Sequence, residues 1–168
     1  MKVPLLALVL SQFLGFGIAT DIFFTTKDYT YQREIQAPYE TVLKIVRDPV
    51  VFSSHSLLFK SIERDTSTAE PDWYTITERL PLLGPIESSL TFRAKLVPLE
   101  NGLDADVDAA LGTALKSVYT VERGDVGKSV VKELTTVKAL TIAFSYVYDN
   151  MKTNHVGLWD NIASEVEK

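Results

Sequence analysis

Two histidines and one carboxylate carry most of the acid–base potential of this chain. Leu140, Phe144, Tyr148, Met151, His155, Leu158, Ile162 and Val166 recur at spacings of three and four. On an α-helix that spacing gathers them into one stripe. His155 then lies among apolar side chains, one turn from Met151 and two from Tyr148. A neutral imidazole so placed can take or give a proton near neutral pH. The plainer alternative is a core histidine bonded to a backbone carbonyl. Glu78 sits in the strand-like run Trp73 to Leu80, on one face with Tyr74 and Ile76. Burial would raise its pKa unless it is paired, which suits a general acid or base. A salt bridge to Arg79 or Arg93, or a register slip of one residue, would remove that role. His55, within the polar run Ser53-Ser54-His55-Ser56, is a second acid–base candidate or a simple loop histidine.

The expected catalytic set is therefore His155, Glu78 and His55. Tyr119 and Tyr148 offer hydroxyls to a ligand carbonyl or a developing oxyanion. Tyr74, Met151, Phe92 and Arg93 complete the expected ligand contacts. Asp104, Asp106 and Asp108 alternate on one strand face. Without a glycine-rich calcium loop around them, they read as a solvated outer surface.

Other chemistries are excluded or disfavoured. The chain has no cysteine, which removes disulfides, thiol catalysis and thiolate-bound metals. No Gly-x-Ser-x-Gly, GxGxxG or phosphate-binding loop is present. Two histidines without a ligand-like spacing do not suggest zinc. No cofactor and no metal are expected. The net charge of −5, with no basic stripe, argues against nucleic acid.

The 168 residues suit one domain able to bury its own core, and 46% hydrophobic against 23% charged residues reads as globular. The elements that must position the site follow from periodicity. Ile22 to Ile35 is β-branched and aromatic, and reads as a strand closed by Ala37-Pro38. Tyr39 to Arg47 has Val42, Leu43 and Val46 at helical spacing, stopped by Asp48-Pro49. Val50 to Ser54 suggests a second short helical turn. Strand-like runs follow at Leu57–Arg64, Trp73–Leu80, Ile86–Val97, Leu103–Ala109, Ser117–Glu122 and Ser129–Val137. Asn101-Gly102 is a strong hairpin signal. The last run, Lys138 to Glu167, reads as one long amphipathic helix whose polar face holds Asp149, Asn150, Lys152, Thr153, Asp160, Asn161 and Glu165. Its stripe needs a sheet to cover it. A helix laid across a curved antiparallel sheet leaves a pocket between the two, and His55 is expected near its mouth.

The first 19 residues differ. Lys2 is followed by an apolar run that ends Gly17-Ile18-Ala19, the pattern of a secretory signal peptide, with a retained N-terminal anchor as the alternative. The secretory pathway is thus the expected location. A membrane is expected as a partner only through an uncleaved N-terminus. The ligand domain spans residues 22–168.

Strand, two short helices, a meander and a closing helix form the helix-grip order. With Phe23-Phe24-Thr25, Tyr39-Glu40-Thr41-Val42-Leu43, Trp73-Tyr74-Thr75-Ile76-Thr77-Glu78-Arg79 and the closing helix, the chain resembles the START-like (SRPBCC) superfamily. Within it, the chain is most similar to fungal START-like proteins of the polyketide cyclase and lipid-transport type. The resemblance implies an α+β fold, in which a curved antiparallel sheet of about six to seven strands wraps the C-terminal helix around a ligand cavity. It also implies a small hydrophobic ligand or a polyketide-like substrate. The implied activity is cofactor-free cyclisation or lactone formation in fungal secondary metabolism. A non-catalytic lipid or sterol carrier is one alternative, and a secreted interaction protein with a filled core is another.

Overall fold

A computed structural model describes residues 23–81 and 87–168 of the chain, so the expectations for the N-terminal segment lie outside the described residues. The described residues form β1 (Phe24–Ile35), α1 (Tyr39–Val46), α2 (Pro49–Ser54), β2 (Phe59–Arg64), β3 (Trp73–Pro81), β4 (Glu87–Leu99), β5 (Gly102–Asp108), a 3-10 turn (Ala110–Gly112), β6 (Ala114–Arg123), β7 (Ser129–Leu140) and α3 (Phe144–Val166). Among them, seven strands make one curved antiparallel sheet in the order β1-β7-β6-β5-β4-β3-β2. Sequential strands pair through hairpins, and only β1 makes a long-range partner, with β7.

Local chemistry explains the joints. The Asp48 carboxylate accepts hydrogen bonds from the Val50 and Val51 backbone N–H groups at 3.0 and 3.1 Å, and Pro49 opens the helix. Together they start α2. Glu100 and Asn101 turn the hairpin between Leu99 and Gly102. A Cβ at Gly102 would lie 1.8 Å from the Tyr119 carbonyl oxygen, so β5 and β6 approach this closely only at a glycine.

The concave face of the sheet is mostly apolar, with a few buried polar side chains on β6 and β7. Ala94 and Leu96 of β4, Leu103 and Ala105 of β5, Val121 of β6 and Val131 and Val137 of β7 are all buried. Against them pack Val42, Leu43, Ile45 and Val46 of α1 and Phe52 of α2. The closing helix buries Met151, Gly157, Leu158, Trp159, Ile162 and Ala163. Trp159 is fully buried and meets the Phe52 ring edge-on at 5.7 Å. The opposite ends of the amphipathic pattern are set differently from the sequence expectation. The helix begins at Phe144 rather than Lys138, because residues up to Leu140 continue β7 and pair with β1 as far as Phe24. A partner strand satisfies that backbone at once, whereas a helix start without a side-chain cap, as here at Ala143, gains little. No helix among the described residues is long and apolar enough to cross a membrane.

Candidate functional site

A cavity of about 390 Å³ lies between the concave sheet and α3. That is a volume suited to a small organic ligand. Leu90, Phe92 and Leu96 of β4 and Val107 of β5 supply apolar wall on the sheet side, and Met151 and Leu158 supply it on the helix side. The polar atoms are few. Glu78, Ser56, Asn154, His155 and Tyr119 bring most of the hydrogen-bonding chemistry.

His155 is held from behind. Its Nδ1 lies 2.5 Å from Glu133 Oε1, and since a carboxylate only accepts, Nδ1–H is the donor. The bond fixes the ring orientation and, in the neutral ring, leaves Nε2 as a lone-pair base. Nε2 has no protein hydrogen-bond partner among the described residues. His155 itself lines the cavity.

Glu133 projects from β7 with its side chain fully buried. The Thr135 hydroxyl donates to Oε1 at 2.7 Å, and the Trp159 indole N–H donates to Oε2 at 3.3 Å. The Ser117 hydroxyl lies 2.8 Å from Thr135 Oγ1 and extends the buried chain. Burial pushes the Glu133 carboxyl up, but the hydrogen bond and charge of His155, with the Thr135 and Trp159 donors, outweigh it and hold the group below the ordinary carboxylate value. Burial first, and the Glu133 charge second, push the Tyr119 phenol well above its ordinary value. Tyr119 therefore stays an O–H donor, with its ring centroid 6.0 Å from that of His155. The same two causes push Tyr29 up to about 12.

Glu78 comes from β3, where strand alternation turns it inward with Ile76. The Ser56 hydroxyl donates to its Oε1 at 2.9 Å. Its pKa is raised because desolvation dominates, with Ser56, the His155 charge and Asn154 pulling the other way. It forms neither of the salt bridges that the sequence allowed. Arg93 instead pairs with Asp65 at 2.7 Å and stacks over Trp73, on the outside of the sheet.

The structure thus brings His155, Glu78, Tyr119, Met151 and Phe92 to one cavity. It places four other expected residues elsewhere. His55 Nδ1 donates to the Val51 carbonyl at 2.8 Å and Nε2 meets Glu165 at 3.0 Å, so both ring nitrogens tie the α2 end to the closing helix. Tyr74 packs against the core cluster beside the cavity. The Tyr148 hydroxyl donates to the Asp28 carbonyl at 3.2 Å, at the β1 edge. Arg93 faces solvent. Asn150, assigned by periodicity to the wet face of the helix, lines the cavity.

Glu133, Ser56 and Asn154 were not foreseen. For Glu133 the signal was ambiguous. Ser129, Val131, Glu133, Thr135 and Val137 point inward, while Val130 and Leu134 share the outer face with Lys132. Both faces mix apolar and polar residues, so alternation alone does not choose between them.

The model of a family described as a domain of unknown function (DUF7053) matches residues 35–168. No curated protein matches the sequence. Among solved structures, norcoclaurine synthase from Thalictrum flavum is similar at 17% identity and a TM-score of 0.64, over 91% of this chain and 93% of that one. An aromatase/cyclase from Streptomyces sp. R1128 is similar at 11% identity and a TM-score of 0.64, over 85% and 94% of the two chains. Ara h 8.0201 is similar at 15% identity and a TM-score of 0.64, over 84% and 98%. At such identities the likeness speaks for the fold alone, a helix-grip sheet closed by a long C-terminal helix. Matched over most of its length, the chain belongs to the DUF7053 family, built on that fold.

Proposed function

We propose that the protein is a cofactor-free acid–base catalyst that closes a ring in a small polyketide-like ligand held in the cavity, in fungal secondary metabolism. The observation that carries the proposal is the pairing of His155 with the buried Glu133, which leaves Nε2 as the available ring nitrogen of a cavity-lining imidazole. Structural likeness to an aromatase/cyclase supports the class of reaction without naming the substrate.

The step balances on this chain's own residues. His155 Nε2 takes a proton from a carbon flanked by two carbonyls. The C–H electron pair moves onto one carbonyl oxygen, giving an enolate. Tyr119, kept protonated by burial, donates to that oxygen. The enolate carbon attacks a third, more distant carbonyl of the folded chain, a C–C bond forms as that C=O π pair moves onto its oxygen, and the new alkoxide takes the proton back from His155. The apolar walls supply proximity by holding the chain folded. Glu133 stays ionised throughout and steadies the imidazolium that forms between the two proton transfers.

The test uses 1-phenylbutane-1,3-dione as a β-diketone probe, with deuterium uptake at its central carbon followed by NMR. The wild type should exceed background exchange, and His155→Gln should lower the enzyme-catalysed rate by about a hundredfold or more, the worth of a positioned general base. Gln keeps a donor for Glu133, and calorimetric binding of the probe should survive. Exchange in the wild type no faster than background, or a rate untouched by His155→Gln, overturns the proposal. In the first case, retained binding would favour a lipid or sterol carrier, the reading that the mostly apolar wall supports.

A further inference from the structure

The charges around the cavity are lopsided. Glu78 sits in the wall, and Glu133 stands behind His155. The imidazole is the one partner set between them, and its hydrogen bond is committed to Glu133. No lysine lines the cavity among the described residues. Arg79 reaches its rim, but it neighbours Glu78 on β3, so its side chain points to the opposite face, and it is exposed. Glu78 is therefore hydrogen-bonded by the neutral donors Ser56 and Asn154, and the charge that acts on it comes from His155, whose own hydrogen bond goes to Glu133. A carboxylate has about four lone-pair sites, so acceptor capacity remains toward the cavity.

Leu90 lies opposite Glu78 on β4, and Phe92 and Met151 line the same cavity. In such surroundings a second anion would meet Glu78 at a lower effective dielectric than in water, and the cationic groups at hand are already placed elsewhere, His155 on Glu133 and Arg79 on the outer face. A hydroxyl or enol O–H meets the opposite situation, a hydrogen bond to a carboxyl oxygen that strengthens when the group is ionised. We infer that the cavity selects uncharged ligands that donate an O–H to Glu78, and rejects carboxylates and phosphates built on the same apolar body. The inference rests on the cavity being a ligand site, and not on proton transfer at His155.

Isothermal titration calorimetry at pH 7 with three probes of one ring system tests it: 2-naphthol, 2-methoxynaphthalene and 2-naphthoate. Naphthol should bind about tenfold or more tightly than either of the others, the usual worth of a hydrogen bond to a charged group. In Glu78→Gln, which keeps the shape and removes the charge, the gap between naphthol and naphthoate should close to within about threefold. Naphthoate binding as tightly as naphthol to the wild type overturns the inference, as does a gap that Glu78→Gln leaves unchanged. If none of the three binds, the ligand-site reading falls with it. If the selectivity is found while deuterium exchange is absent, the inference stands and the acid–base reading alone fails.

Discussion

Removing the His155 side chain should destabilise the protein in a way that depends on pH, because it strands Glu133. The Glu133 side chain is fully buried, and the His155 hydrogen bond at 2.5 Å is its shortest. Deleting one partner of a buried pair costs about 3–5 kcal/mol, mostly through the charge left behind. Here Thr135 and Trp159 still donate, and the cavity can admit water where the imidazole stood. His155→Ala should therefore fall near the lower end, about 3 kcal/mol, or about 6–12 °C in Tm for a domain of this size. The direction with pH follows from the two states of Glu133. In the wild type its carboxyl is held below the ordinary value of 4.5, so it stabilises the fold above that pH and loses this as pH falls through the lower value. In His155→Ala burial acts without its main counterweight and raises the same group. Stability then drops as pH rises from the ordinary carboxylate range, so the loss relative to wild type is larger at pH 8 than at pH 5. Adding Glu133→Gln to His155→Ala should restore about 1 kcal/mol or more at pH 8, a coupling expected of residues in direct contact. Urea denaturation followed by tryptophan fluorescence at both pH values compares the wild type, His155→Ala and the double variant. A loss under about 1 kcal/mol at pH 8, an equal loss at both pH values, or no recovery in the double variant would refute the account of a stranded buried charge.

Two further outcomes follow from the same geometry. Glu78 has a raised pKa through desolvation, so wild-type stability falls as pH climbs from the ordinary carboxylate range through the raised value. Glu78→Gln should be flatter over that range and more stable than the wild type at pH 8, as read by thermal melts; a variant less stable at pH 8 than at pH 5 would contradict it. At Gly157 of α3 an added Cβ would lie 2.2 Å from Leu57 Cδ1. Leu57 is half exposed and can swing away, so Gly157→Ala alone should cost about 1 kcal/mol or less, with the clash offsetting the gain in helix propensity. Paired with Leu57→Ala it should outlast the Leu57→Ala single variant in urea by about 0.5–1 kcal/mol. No gain in that pairing would mean that the Leu57 contact is not what keeps a glycine there.

The order of elements was legible in the sequence because it depends on local periodicity and on strong punctuation. Ala37-Pro38, Asp48-Pro49 and Asn101-Gly102 stop or turn the chain by their own backbone chemistry, and the described elements break there. The helical spacing of Met151, His155 and Leu158 likewise put these three on the face that meets the sheet, since a helix buries whichever stripe is apolar. Which strand neighbours which was not local information. The pairing of Tyr31 with Glu133 joins residues 102 positions apart, and that of Glu133 with Tyr119 joins residues 14 apart. Only this assembly carries Glu133 of β7 to within hydrogen-bond reach of His155 on α3, and Ser56 to Glu78. For the same reason His55 and Tyr148, plausible by type, are drawn to the helix and the β1 edge instead. Residue types and spacing fix what each segment can do alone. Distances between segments remote in the chain are set by packing, so the partner that orients an acid–base group appears only once the sheet has closed around the helix.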